Sequence, residues 1–236
     1  MSSRSAFVTG ANRGIGAAIA RDLVERGHRV VGTHRGTGPE VDGVSFVRCD
    51  VRDPESVAAA VREAREVVGE IDIVVSSAGV TRDGLLMAQT PDEVSGVLDT
   101  NLAGAFNVVR EAVSDMVTNK WGRIVFVSSV MGLWGSPGQS TYSASKSGLV
   151  GLARSLAWEL GRKRVTANVV LPGLIETDMI AGLADRRREQ VIAQTPLRRT
   201  GTPEEVAALV GFLVSEEAGF ITGASVPISG GVGMGL

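Results

Sequence analysis

A chain of 236 residues, 44% hydrophobic and 21% charged, is long enough to bury one α/β core and too apolar to remain disordered. Its formal net charge of -2 supplies no overall excess of cations, which removes the usual reason to expect nucleic acid or an anionic membrane as partner. The single cysteine, Cys49, excludes an intramolecular disulfide and a cysteine-rich zinc site, and with only His28 and His34 no metal is expected; a reducing cytoplasm suits this composition.

The first strand is read at Ala6 to Val8, and it runs directly into a glycine loop, so no signal peptide is expected ahead of it. Further short β-branched runs follow at Arg29 to Thr33, Val44 to Val47, Ile71 to Val75, Arg123 to Ser128, Val165 to Val170 and Ala224 to Ile228. Between them lie segments with helical spacing: Ile15 to Arg26, Pro54 to Val68, Leu102 to Val117, Tyr142 to Leu160 and Pro203 to Val214. Asp53 before Pro54 and Thr202 before Pro203 read as N-caps with proline at the first helical position. Several strands are apolar on both faces, which predicts a parallel sheet of about seven strands covered by helices on both sides. The alternation therefore predicts a doubly wound (Rossmann) α/β fold, with residues 1–236 forming a single dinucleotide-binding and catalytic domain. Residues 174–200, after the sixth strand, show no clear strand and are read as a lid over the strand ends. The longest apolar stretch, Ile124 to Trp134, is broken by serines and falls short of the ~20 residues that crossing a bilayer requires.

Two constellations carry chemistry. Thr9-Gly10-Ala11-Asn12-Arg13-Gly14-Ile15-Gly16 joins the first strand to the first helix, where a tight turn, close backbone approach and free N–H groups make a phosphate cradle. Glycines at this spacing arise by chance about half a time in a chain this rich in glycine, so the placement carries the argument rather than the spacing. At the end of the second strand stands Thr33-His34-Arg35, with no carboxylate before Glu40. An NAD site puts an acidic residue there and a 2′-phosphate calls for cations, so Arg35 and Arg13 favour NADPH; the alternative for Arg35 is a solvated surface charge. Asp50-Val51, after the third strand, would face the adenine, although Asp50 also suits a turn.

Tyr142 is the only tyrosine and Lys146, one helical turn on, is one of three lysines. Their pairing has a chance frequency on the order of 1%, which makes it the more specific signal. Ketone reduction builds negative charge on oxygen and needs a proton donor within hydrogen-bond reach. A phenol suits that task, and an ammonium beside it is expected to make it more acidic. A neighbouring hydroxyl would orient the carbonyl; Ser129 is the candidate and Ser128 its rival. Asn101, by itself, reads as a helix cap.

Thr9 to Gly16, Ser76-Ser77-Ala78-Gly79, Asn101, Ser129, Tyr142-Ser143-Ala144-Ser145-Lys146 and Pro172-Gly173 together resemble the motif set of the short-chain dehydrogenase/reductase superfamily. Thr81 to Met87 and Pro172 to Met179 resemble the 3-oxoacyl-[acyl-carrier-protein] reductases, and Thr33 to Gly36, Gly132 to Gly135 and Gly231 to Met234 are similar to their mycobacterial, long-chain branch. The resemblance implies a tetrad in which Asn101 holds a water and a helix irregularity, Ser129 fixes the substrate, Tyr142 gives the proton and Lys146 binds the ribose. It selects Ser129 over Ser128, because the family's serine stands thirteen residues before its tyrosine. The implied NADPH contacts are Gly10, Asn12, Arg13, Gly14, Ile15, Gly16, Arg35, Asp50, Val51, Ser77, Ala78, Gly79, Tyr142, Lys146, Pro172, Gly173, Ile175 and Thr177. The chain departs from the family at Ser76-Ser77, where asparagines are usual.

The function implied is NADPH-dependent reduction of 3-oxoacyl-[acyl-carrier-protein] to 3-hydroxyacyl-[acyl-carrier-protein] in fatty-acid biosynthesis, by a cytoplasmic homotetramer. A ketoreductase of polyketide or small-alcohol metabolism is the alternative enzyme, and a nucleotide-sensing scaffold the alternative of another class. An acyl chain on an acidic carrier needs an apolar slot and a basic rim. Leu133, Trp134, Leu174, Ile175, Met179 and Ile180 are candidates for the slot, against ordinary packing. Lys120, Lys163, Arg164 and the run Arg186-Arg187-Arg188 are candidates for the rim, against a solvated face.

Overall fold

The computed structural model of the chain describes residues 3–36, 41–180 and 185–234. In chain order the elements are β1 (Ser5–Thr9), α1 (Gly14–Glu25), β2 (Arg29–His34), β3 (Val44–Arg48), α2 (Pro54–Val68), β4 (Ile73–Ser76), α3 (Pro91–Leu98), α4 (Gly104–Asn119), β5 (Gly122–Val127), α5 (Met131–Trp134), α6 (Ser140–Leu160), β6 (Val165–Pro172), α7 (Asp185–Gln194), α8 (Pro203–Leu213) and β7 (Ser225–Ile228). The seven strands form one parallel sheet in the order β3-β2-β1-β4-β5-β6-β7, the doubly wound architecture expected. Strand order reverses beside β1, so the crevice at the carboxyl ends of β1 and β4 is the place where such a sheet binds ligands.

Alternation within the strands sorts the core into two layers. In β1, Phe7 faces the layer built with α2, α4 and α6, which includes Val61, Val108, Met116 and Leu149. Ala6 and Val8 face the opposite layer, where Ile19 and Leu23 of α1 meet Val206 and Val210 of α8. The β5 strand is buried along its whole length, as a parallel strand covered on both sides must be.

Capping differs between helices in a way that matters for the site. Asp53 caps α2 by accepting from the Glu55 N–H, and Thr202 forms a reciprocal capping box with Glu205 at α8. By contrast, α1 has neither a side-chain cap nor an acidic residue in its first turn, which leaves its leading N–H groups to a ligand.

Several boundaries moved. The fourth strand begins at Ile73 rather than Ile71; the Ile71 N–H is taken by the Asp115 side chain instead of a neighbouring strand. The helix expected from Leu102 begins at Gly104, behind a π-helical turn over Asp99–Ala103 and the unexpected helix α3. The sequence carried a signal for α3, since Thr90-Pro91 with Glu93 repeats the capping box of Thr202-Pro203 with Glu205. Segment 174–200 holds a short 3-10 turn at Asp178–Ile180 and the helix α7.

Candidate active site

A cleft of about 890 Å³ opens at the carboxyl ends of the strands. Its walls bring together every residue that the resemblance assigned to the cofactor, from Gly10 to Gly16 on one side to Pro172, Gly173, Ile175 and Thr177 on the other. Ser129, Tyr142 and Lys146 lie on the same wall system.

The glycine loop is packed too tightly for side chains. A Cβ on Gly10, which has φ +66°, would lie 2.9 Å from the Ala78 Cα, and one on Gly16 would lie 2.2 Å from the Gly10 carbonyl oxygen. The Thr9 hydroxyl accepts from the N–H groups of Ser77 and Ala78, both at 3.1 Å, and so ties this loop to the one after β4. That bond supports the loop although Ser76 and Ser77 replace the usual asparagines. Sequence reasoning missed Thr9, and equally Thr33, whose hydroxyl accepts from the Gly10 N–H at 3.3 Å. These features fit a pyrophosphate: backbone at close approach, an uncapped helix start and a strand-order reversal.

Arg13 and Arg35 are exposed on the cleft wall, and neither makes an ion pair among the described residues. Asp50 does both things foreseen for it, lining the cleft and forming a turn closed by the Asp53 N–H. Its carboxylate is held below the usual range chiefly by hydrogen bonds from Arg52, the closest at 2.6 Å, with Arg35 adding to the effect. Glu40 lies outside the described residues.

Ser128 and Ser129 separate cleanly. The Ser128 hydroxyl donates to the Lys146 carbonyl at 2.8 Å, so it is engaged within the fold. Ser129 accepts from the Met131 N–H at 3.2 Å and lies with the Tyr142 phenol. Burial pushes the phenol's pKa up, hydrogen bonding with Ser129 pulls it back, and the Asp83 carboxylate pushes it up again.

Lys146, expected to acidify Tyr142, is not among the groups that shift the phenol here, which are burial, Ser129 and Asp83. The Lys146 ammonium donates to the Val127 carbonyl at 2.8 Å and lies 5.7 Å from the Tyr142 ring centroid, over the ring. Burial lowers its own pKa to about 8. Gly79 and Gly132 leave room for it: a Cβ on Gly79 would lie 3.2 Å from its Nζ, and one on Gly132 would lie 3.0 Å from its backbone.

Asn101 is neither a cap nor part of the cleft wall. It is buried inside the π-helical turn, where its side chain accepts from the Val80 N–H at 2.8 Å and donates to the Val80 carbonyl at 2.9 Å and to Ser145 Oγ at 3.0 Å. Ser145 in turn donates to the Tyr142 carbonyl at 2.7 Å. Asn101 thus ties the loop after β4 to the helix that carries Tyr142 and Lys146.

The apolar slot is partly as expected. Leu174, Ile175 and Ile180 line the cleft, joined by Met131 and Val191, which sequence reasoning did not find. Leu133 packs against the core and Trp134 is exposed, both away from the cleft wall, while the side chain of Met179 lies outside the described residues. The rim needs a larger correction. Lys120 stands just before β5 begins and Lys163 and Arg164 just before β6, at the opposite ends of those strands from the cleft. Of the Arg186-Arg187-Arg188 run, only Arg187 lines the cleft.

The family model described as "Enoyl-(Acyl carrier protein) reductase" matches residues 10–233. The "3-oxoacyl-[acyl-carrier-protein] reductase MabA" of Mycobacterium bovis and that of Mycobacterium tuberculosis are each 47% identical over 233 residues, covering 99% of this chain and 94% of theirs. The "3-oxoacyl-[acyl-carrier-protein] reductase FabG" of Escherichia coli is 41% identical over 236 residues, covering 97% of both chains. With the motif set gathered in one cleft and likeness over nearly the whole chain, this protein belongs to the short-chain dehydrogenase/reductase superfamily, within its 3-oxoacyl-[acyl-carrier-protein] reductase family.

Proposed function

We propose that the protein reduces 3-oxoacyl-[acyl-carrier-protein] to 3-hydroxyacyl-[acyl-carrier-protein] with NADPH, in fatty-acid biosynthesis. The observation that carries this reading is the Ser129–Tyr142 pair beside Lys146, at the sheet edge that also holds the glycine cradle. As a member of this family the protein uses a nicotinamide cofactor, which supplies hydride when bound. The exposed Arg13 and Arg35 support a phosphorylated ribose, hence NADPH.

In this reading Ser129 and Tyr142 both hold the ketone oxygen, and Tyr142 delivers its proton as charge grows there. Its raised pKa keeps the phenol protonated until that moment. Lys146 holds the ribose, and Asn101 is a positioning residue that fixes the helix bearing both. The segment 174–200 acts as a lid within a single domain of residues 1–236. Two hydroxyls converging on one oxygen suit a 3-ketone better than a 2-enoyl thioester, whose reduction ends with the proton on carbon.

Homotetramer assembly is part of the proposal, supported by the full exposure of Trp158 and Phe220 on the surface. No helix among the described residues is long and apolar enough to cross a membrane, and a cytoplasmic location is proposed with the reduced Cys49.

The test is oxidation of NADPH, with NADH in parallel, by 3-oxoacyl thioesters, 2-enoyl thioesters and simple ketones. The 3-oxoacyl esters with NADPH should lead; a lead for simple ketones would favour the polyketide or small-alcohol reading. Tyr142→Phe should lower turnover about 10²- to 10⁴-fold, the usual worth of a general acid, while NADPH affinity measured by fluorescence stays unchanged. Undiminished turnover would remove Tyr142 from its role.

A further inference from the structure

The cleft wall carries a third guanidinium besides those of Arg13 and Arg35. Arg187, in the first turn of α7, lines the cleft and donates to the Ser136 hydroxyl of the loop between α5 and α6, at 3.5 Å. It thereby spans from the segment after β6 to the segment after β5. Its neighbour Arg188 is engaged differently, paired with Glu176, which also accepts from the Thr200 hydroxyl at 2.6 Å. Arg187 makes no ion pair among the described residues, and the group it donates to is a neutral hydroxyl.

The carboxylates on the cleft wall do not answer it. Asp50 is tied to Arg52, and Asp83 accepts from Gln139 at 3.1 Å and from the Thr81 hydroxyl. Asp178 also lines the cleft without an ion pair and would oppose an anion bound near it. The same cleft wall carries Met131, Ile180 and Val191, apolar side chains suited to an acyl chain or a thin arm. An unpaired guanidinium next to a hydroxyl, on the wall of a cleft that also carries apolar side chains, is matched by a phosphate at the end of a flexible chain.

We infer that Arg187, with Ser136, recognises the phosphate of the arm that carries the thioester and so selects carrier-bound substrates. This inference rests on the 3-oxoacyl thioester reading above. Both acyl carrier protein and coenzyme A present a phosphate at this place on the pantetheine arm, whereas an N-acetylcysteamine thioester has none.

The experiment compares wild type with Arg187→Ala and Arg187→Lys on one 3-oxoacyl group attached to each of these three carriers. Arg187→Ala should raise KM about tenfold to a hundredfold for the two phosphate-bearing esters, the worth of a charge-assisted hydrogen bond. It should leave kcat/KM for the N-acetylcysteamine ester and the NADPH affinity as in wild type, with partial recovery in Arg187→Lys. Equal losses on all three esters would make Arg187 a brace of α7 and overturn the inference, as would no loss on any. Weakened NADPH binding would assign it to the cofactor instead, and a loss with the carrier protein alone would assign it to the protein surface; either result overturns the phosphate contact. If wild type reduces none of the three esters, the parent reading has failed and this one falls with it.

Discussion

At the scale of single residues, the site depends on how burial treats charge. Lys146 is 5% exposed and its pKa falls to about 8, whereas an unfolded lysine titrates near 10.4. Between those values unfolding takes up a proton, so raising the pH stabilises the fold through this residue. Below about pH 8 both states are charged and the fold bears the full cost of a buried ammonium. Against wild type, Lys146→Met removes that cost, so the variant's relative stability should decline by about 3 kcal/mol from pH 7 to pH 10. Urea titrations at several pH values measure it; a constant difference would contradict the desolvation of Lys146. The spacing of Tyr142 and Lys146 was legible in the sequence because helical geometry alone puts them on one face. What their environment does to them was not, since the Val127 carbonyl and the Ser129 hydroxyl reach them from another element.

At the scale of elements, the π-helical turn over Asp99–Ala103 holds Asn101 inward, and α3 leads into it. The capping box of Thr90 with Glu93 sets where α3 starts, and Gln89 just ahead accepts from the Thr141 hydroxyl at 2.6 Å on the helix bearing Tyr142. Thr90→Ala should therefore cost about 1 kcal/mol of stability, typical of a lost N-cap. The shift of the urea midpoint measures it, and an unchanged midpoint would show that α3 does not depend on its cap. Helices such as α2 were read to the residue because Asp53-Pro54 marks the start and the apolar repeat runs to Val68. The start of α4 was misplaced because a π turn continues the apolar pattern while changing the hydrogen-bond register, which no residue type announces.

At the scale of the whole molecule, the two packed layers hold the strand ends in the arrangement that the cleft requires. Leu23 is fully buried between α1 and its layer, and Leu23→Ala should cost about 2–5 kcal/mol, read as a lower urea midpoint at an unchanged slope. A loss below 1 kcal/mol would mean that the α1 layer collapses around the gap. The slope matters because the same helix start forms the phosphate cradle: a changed slope would signal partial loss of α1 and not a simple cavity.

The amino-acid sequence by itself determined the strand-helix alternation, the glycine loop after β1 and the phenol-lysine spacing. Each of these follows from local sterics or from the period of one element. Tertiary structure decided the rest. It engaged Ser128 inside the fold, turned Asn101 from a cap into a brace, set Lys120, Lys163 and Arg164 at the far ends of their strands and brought Arg187 to Ser136. These outcomes depend on strand register and on which helix packs beside which. The physical reason is that side chains distant in the chain meet only after the sheet has fixed their separation.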